Sequence, residues 1–139
     1  MRSILIDTGP LVALFGRKDR HHDEYRARML AADAEGLRFI TTWPCIVEAA
    51  YLLEPPERYD LIEFVTLGGV QLYPFDTAHL EDMLGWMRTY TEPGKREMDL
   101  ADASLYWLAV DTGINCIMTL DRRDFERYRL PDGRSFEIV

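Results

Sequence analysis

The sequence predicts an α/β fold, a three-layer sandwich built on a central, mostly parallel five-stranded sheet. Two observations carry this. Short apolar runs alternate with longer helical stretches along the chain, the order that builds a parallel sheet with helices on both faces. Glycines and prolines fall at the joins between them, where helices start and stop. The 139 residues suit a single domain spanning 1–139, with enough chain for a core.

The elements follow in order. "SILID", residues 3–7, reads as a buried strand. A helix could begin at Pro10, and "RHHDEYRARMLAADAEG", residues 20–36, is an amphipathic helix ending at glycine. "LRFITT" at 37–42 is a second strand. "WPCIVEAAYLL" at 43–53 carries proline in its first turn, which suits a helix start. "PPERYDLIEFVTLGG" at 55–69 opens on prolines and closes on glycines, giving another helix. "VQLYPF" at 70–75 is a third strand, and "DTAHLEDMLGWMRTY" at 76–90 is a helix with an aspartate cap. "TEPGKRE" at 91–97 is a loop. "MDLADASLYWLAVDTG" at 98–113 is a helix closed by glycine. "NCIMTL" at 115–120 is a fourth strand, a short helix covers 124–128 with Asp124 as its cap, and "FEIV" is the last strand.

Composition narrows the function classes. Hydrophobic residues make up 47% of the chain, and the net charge is −8. That charge argues against a general nucleic-acid binder, since phosphate must be attracted locally against a repulsive total. Cys45 and Cys116 sit in apolar contexts and read as buried thiols in a reducing compartment. No cysteine–histidine pattern suggests zinc. The apolar start is broken by Asp7 and lacks a basic flank, and no apolar run approaches a membrane span. A soluble cytoplasmic protein with no membrane contact is expected.

Within this frame Asp7 is out of place. It stands where a buried strand ends, and an ionised carboxylate there is costly unless a positive group meets it. In open parallel sheets, ligands bind beyond the carboxyl ends of the strands, where the strand order switches. Asp121 follows the fourth strand. If the first and fourth strands are neighbours, both carboxylates face one crevice. Glu48 interrupts an apolar helix start at the same end of the sheet, as does Asp102. Asp99 lies three residues before Asp102, on the same helix face. Gathered acids repel and raise one another's pKa. A divalent cation relieves this, and an all-oxygen donor set favours Mg2+, with Mn2+ possible, over zinc. Such ions support phosphodiester cleavage with water as nucleophile.

Each acid also has an ordinary structural explanation. Asp7 could cap a helix, Glu48 could pair with an arginine, Asp99 and Asp102 could favour a helix N-terminus, and Asp121 could be a turn residue. Their common location carries the inference.

Four segments in order, "ILIDTGPLVAL", "WPCIVEAAYLL", "MDLADASLYWLAVDTG" and "IMTLDRRDF", resemble the PIN domain, and more narrowly the VapC-type ribonuclease toxins of toxin–antitoxin pairs. The resemblance spans nearly the whole chain. It implies catalytic acids at Asp7, Glu48, Asp102 and Asp121, with Asp99 as a further metal ligand. It also implies a hydroxyl at Thr119 supporting the last acid, and Thr8 is a second supporting hydroxyl. It implies a Mg2+-dependent endoribonuclease with an RNA substrate, a cognate antitoxin and a homodimer.

Arg17, Lys18 and Arg20 follow the first strand's loop, Lys95 and Arg96 precede Asp99, and Arg122 and Arg123 follow Asp121. These cations either grip RNA phosphates or are ordinary solvated charges. His21 and His22 read as helix-start residues, and Trp43, Trp86 and Trp107 as core or interface. Three other classes compete. A receiver-type phosphoryl-transfer module wants paired acids after the first strand and a late lysine; Thr8 and Gly9 follow Asp7, and no lysine follows Lys95. A dehalogenase-like phosphatase wants an aspartate where Gly9 stands. A non-catalytic PIN-like module binding RNA or protein would not need the full acid set.

Overall fold

The computed structural model describes residues 2–139. Twelve elements follow the order β1 (Ser3–Ile6), α1 (Thr8–Phe15), α2 (His22–Ala34), β2 (Arg38–Thr41), α3 (Trp43–Leu52), α4 (Pro55–Thr66), β3 (Gln71–Leu72), α5 (Thr77–Tyr90), α6 (Leu100–Thr112), β4 (Cys116–Met118), α7 (Arg122–Arg127) and β5 (Glu137–Ile138). The sheet order is β3-β2-β1-β4-β5. Every pairing is parallel, β5 included. The chain runs from β1 out to β3, then crosses back to β4 on the other side, so the strand order switches between β1 and β4.

Side-chain alternation across the sheet explains the three layers. Leu5 lies in register with Ile40 on one side and Ile117 on the other. That row packs with α5 and α6 around Met83, Leu105 and Leu108. Ile4 lies beside Phe39, and Ile6 beside Met118. Those residues point the other way, into Leu11, Tyr25, Ile46, Ala49 and Leu61 of α1 to α4. Both faces are dry, which is why the strands read as continuous apolar runs rather than alternating ones. Helix α6 is buried from Ala101 through Ala109, so its sequence is apolar on every side rather than along one stripe.

Several boundaries differ from the sequence expectation for local reasons. Helix α1 begins at Thr8, two residues before Pro10, because Asp7 accepts a hydrogen bond from the Thr8 amide as N-cap. Proline then falls within the first turn, where its missing N–H costs nothing. The third strand pairs only over Gln71–Leu72, since it is an edge strand with one neighbour. Helix α7 starts at Arg122, so Asp121 is the N-cap position and Asp124 lies inside the first turn. Gly113 closes α6 with a φ of 77°, a left-handed turn that returns the chain toward β4. Gly69 approaches Phe64 closely: a Cβ there would lie 2.1 Å from the ring, which would have to move to admit it. Cys45 is buried as expected, but Cys116 is only half-buried. Among the described residues no helix is long and apolar enough to cross a membrane.

Leu5 is the fully buried centre of the middle strand. Leu5→Ala should therefore lower unfolding free energy by roughly 3–5 kcal/mol, the range for large-to-small changes at rigid core sites. A urea titration followed by circular dichroism measures it.

Candidate functional site

The end of β1 is built to hold a carboxylate. The Asp7 amide donates to the Met118 carbonyl at 3.0 Å, which extends the β1–β4 ladder by one residue. Its side chain is buried and accepts from the Thr8 amide at 2.7 Å and from the Thr119 hydroxyl at 2.8 Å. Thr119 in turn accepts from the Asp121 amide at 2.9 Å. One hydroxyl thus fixes the first acid and the backbone of the last. Thr41 donates to the Ile6 carbonyl at 2.7 Å, closing the other side of the strand end. Thr8 turns its hydroxyl toward the Cys45 carbonyl, 3.5 Å away.

Helices supply the remaining acids. Asp99 is the N-cap of α6 and accepts from the Asp102 amide at 2.8 Å. Asp102, one turn in, is buried and accepts from the Tyr128 hydroxyl at 2.6 Å. Glu48 comes from α3. Asp7, Glu48, Asp99, Asp102 and Asp121 line one cleft of about 350 Å³, together with Thr8, Gly9, Leu52, Ala101 and Leu120. No lysine, arginine or histidine is among those lining residues. Gly9 belongs there for a steric reason, since a Cβ would come within 3.1 Å of Leu120.

The acids carry one another's charge without relief. Burial, then Asp99, pushes the Asp102 carboxyl up to about 8 despite the Tyr128 hydrogen bond. Burial, then a shared hydrogen bond with Asp124, pushes Asp121 up to about 6. Burial raises Asp7 against the lowering effect of Thr119 and Thr8. Glu48 is raised by burial, by Asp99 and by Asp7. Beneath them the Cys45 thiol is pushed up to about 12 by burial and by Asp7, so it is an inert packing group.

Asp102, Asp121 and Asp124 each offer an oxygen, all within 4.8 Å of one another. This set of hard oxygen donors fits Mg2+ or Mn2+; Asp102 and Asp121 line the cleft that has no cation in its lining, and Asp124 lies on the adjoining cleft beside Arg127. The sequence expects Asp124 to cap the short helix, but Asp121 takes the N-cap position. The place of Asp124 inside α7, one turn from Asp121, puts it in the triad instead, while it also accepts from Arg127 at 3.1 Å. The i,i+3 spacing of Asp121 and Asp124 was the available signal. Tyr128, which holds Asp102, carried no comparable signal.

The model of the PIN domain family matches residues 4–130. The chain belongs to this family. Comparison with curated proteins gives no match. Among solved structures the PIN domain is similar to Mycobacterium tuberculosis VapC20, described as a sarcin-ricin loop cleaving toxin. The TM-score is 0.72 at 18% identity, covering 87% of this chain and 92% of that one.

The basic candidates of this PIN domain divide. Lys95, Arg96 and Arg123 line a second cleft that shares Asp121 with the first. Arg122 lines neither and pairs with Glu126 at 3.8 Å. His22 bonds the Ala13 carbonyl and His21 sits at the start of α2. Trp107 is core, Trp86 packs on it at the margin, and Trp43 is exposed.

The acids set a pH dependence for the metal-free protein. Between the ordinary 3.8 and about 8, folded Asp102 keeps a proton that the unfolded chain releases. Stability therefore falls as pH rises through that window. Asp102→Asn keeps an acceptor for Tyr128 and removes the charge. In EDTA at pH 8 it should melt above wild type by about 5 °C, and the gap should close near pH 4. Differential scanning calorimetry at both pH values measures the two gaps.

Proposed function

We propose that the protein is a Mg2+-dependent endoribonuclease that hydrolyses RNA phosphodiester bonds, and that it is the toxin of a toxin–antitoxin pair. The observation that carries this is the convergence of carboxylates from β1, α3, α6 and the β4–α7 junction on one cleft whose lining has no cation. Family membership and the likeness to a sarcin-ricin loop cleaving toxin support the same class. Residues 1–139 would then form one nuclease domain acting in the cytoplasm.

In this reading Asp102 and Asp121, with Asp7 beside them, would hold the principal ion, and Asp124 lies close enough to join. Mn2+ would serve in place of Mg2+. A bound ion would supply Lewis-acid polarisation of the phosphate and would lower the pKa of a water. Asp7 is oriented by Thr119 and Thr8, so its carboxylate does not reorganise during the reaction. Tyr128 performs the same task for Asp102. Glu48 stands on a separate helix with a raised pKa and is placed to order a water or to receive its proton. Asp99 spends one oxygen on the α6 cap and leaves the other for a second ion. Water rather than the ribose 2′-hydroxyl attacks, so the products carry 5′-phosphate and 3′-hydroxyl ends.

The partners follow from apolar exposure. Trp43, Val47 and Tyr51 recur at helical spacing on α3, with Tyr51 81% exposed, and α4 adds Tyr59 and Ile62. Contiguous apolar surface of this kind marks an interface. We assign it to a homodimer, with the antitoxin covering part of the same helices.

Isothermal titration should show Mn2+ binding that Asp7→Asn weakens at least about tenfold. End-labelled cleavage products should carry 5′-phosphate, and excess EDTA should abolish cleavage. A 2′,3′-cyclic phosphate or full activity in EDTA would falsify the mechanism. Sedimentation at micromolar concentration should give a dimer, and Tyr51→Glu should shift it to monomer.

A further inference from the structure

Three acids can close on one ion, and each is held by a different device. Asp102, Asp121 and Asp124 each offer an oxygen within 4.8 Å of the others. The backbone of Asp121 is fixed by the Thr119 hydroxyl at 2.9 Å. The other two acids are held by consecutive residues at the end of α7. Tyr128 donates its hydroxyl to Asp102 Oδ2 at 2.6 Å, and Arg127 donates from Nε to Asp124 Oδ1 at 3.1 Å.

The two holding residues are braced in turn. Tyr128 is fully buried, and its ring meets those of Tyr90 and Phe125 edge-on, with centroids 5.0 and 5.1 Å away. A phenylalanine would pack there equally well, so what the hydroxyl adds is the bond to Asp102. Arg127 spans two segments. Its Nη1 donates to the Tyr90 carbonyl at 2.7 Å while Nε holds Asp124. Its guanidinium also lies 4.8 Å over the Tyr128 ring, a cation–π contact that sets the two side chains against each other. Nη2 is buried with no hydrogen-bond partner among the described residues. That unpaired donor costs energy, so the guanidinium is placed by its reach from Tyr90 to Asp124 and not by satisfying every N–H. A planar fork makes this reach, whereas a lysine offers a single point of charge.

We propose that Arg127 and Tyr128 are positioning residues for the divalent ion, and that their grip on Asp124 and Asp102 makes the site take Mg2+ in preference to Ca2+. This rests on the metal-dependent reading above. Partners of this outer kind fix the orientation of a ligand without touching the ion. Mg2+ demands near-ideal octahedral geometry, whereas Ca2+ accepts looser and more variable oxygen sets. Carboxylates that are free to swing therefore cost Mg2+ more than Ca2+. The positive charge of Arg127 opposes all divalent ions alike, so the discrimination comes from stiffness and not from charge.

The test uses the metal alone, without RNA. Free Mn2+ is followed by electron paramagnetic resonance as it binds the metal-stripped protein, and Mg2+ or Ca2+ is then added to displace it. Tyr128→Phe keeps the ring packing and removes the hydroxyl. It should weaken Mg2+ about tenfold and Ca2+ by less, so the preference for Mg2+ shrinks. Arg127→Lys keeps the charge and loses the fork, and the preference should shrink in the same direction. Altered proton uptake by Asp102 would weaken both ions by one factor and leave their ratio where it was. Arg134→Ala should change neither affinity nor ratio, since Arg134 bonds Asp132 and the Gly113 carbonyl. An unchanged ratio in both Tyr128→Phe and Arg127→Lys would overturn the positioning role and leave the metal-dependent reading standing. No Mn2+ binding by the wild type would overturn both.

Discussion

The hydrogen bond from Thr119 to Asp7 joins residues 112 positions apart, and the acid site depends on it. It forms only if β1 and β4 pair in parallel and in register, with Leu5 beside Ile117 and Ile6 beside Met118. A slip of one residue would turn Asp7 into a core layer and Ile6 toward the cleft. The dry packing on both faces of the sheet enforces the register. Core and site are therefore one construction: the apolar rows that hold the domain together also aim its first and last acids at each other.

The same arrangement carries an energetic cost. Asp7 and Asp102 are buried, and neither has a cationic partner within its hydrogen-bonding set. Their hydrogen bonds come from hydroxyls and an amide, which orient a carboxylate without neutralising it. The fold gives up stability at this end and recovers it in the core beneath, where Leu5, Leu105, Leu108 and Ile117 are fully buried. Burial and like-charge neighbours that shift carboxyl groups in this way cluster at functional sites.

The layer order, the parallel sheet and the common cleft of Asp7, Glu48, Asp99, Asp102 and Asp121 were legible in the sequence. Each depends on local pattern, namely apolar runs, caps and the rule that strand ends line a crevice. What was not legible depends on side chains from distant segments meeting in space. Tyr128 looks like any aromatic after a short helix until the fold sets it against Asp102. Asp124 resembles a cap in sequence because Arg122 and Arg123 carry no helix-start signal, yet α7 already begins at Arg122. Arg122 and Arg123 are adjacent in sequence, yet one pairs along α7 and the other faces a cleft, a difference set by helical rotation.

Chain order has a consequence of its own. The acids run from residue 7 to residue 124, and the strand that aligns the last of them sits beside β5, the final element of the chain. Synthesis proceeds from the N-terminus, and pairing between distant strands comes late in folding. A ribosome-bound fragment that ends before β4 has Asp7 and the Thr8 amide but lacks the Thr119 hydroxyl that holds the second carboxylate oxygen. The acid cleft therefore assembles only after β4 and the start of α7 have been made, long after its first carboxylate.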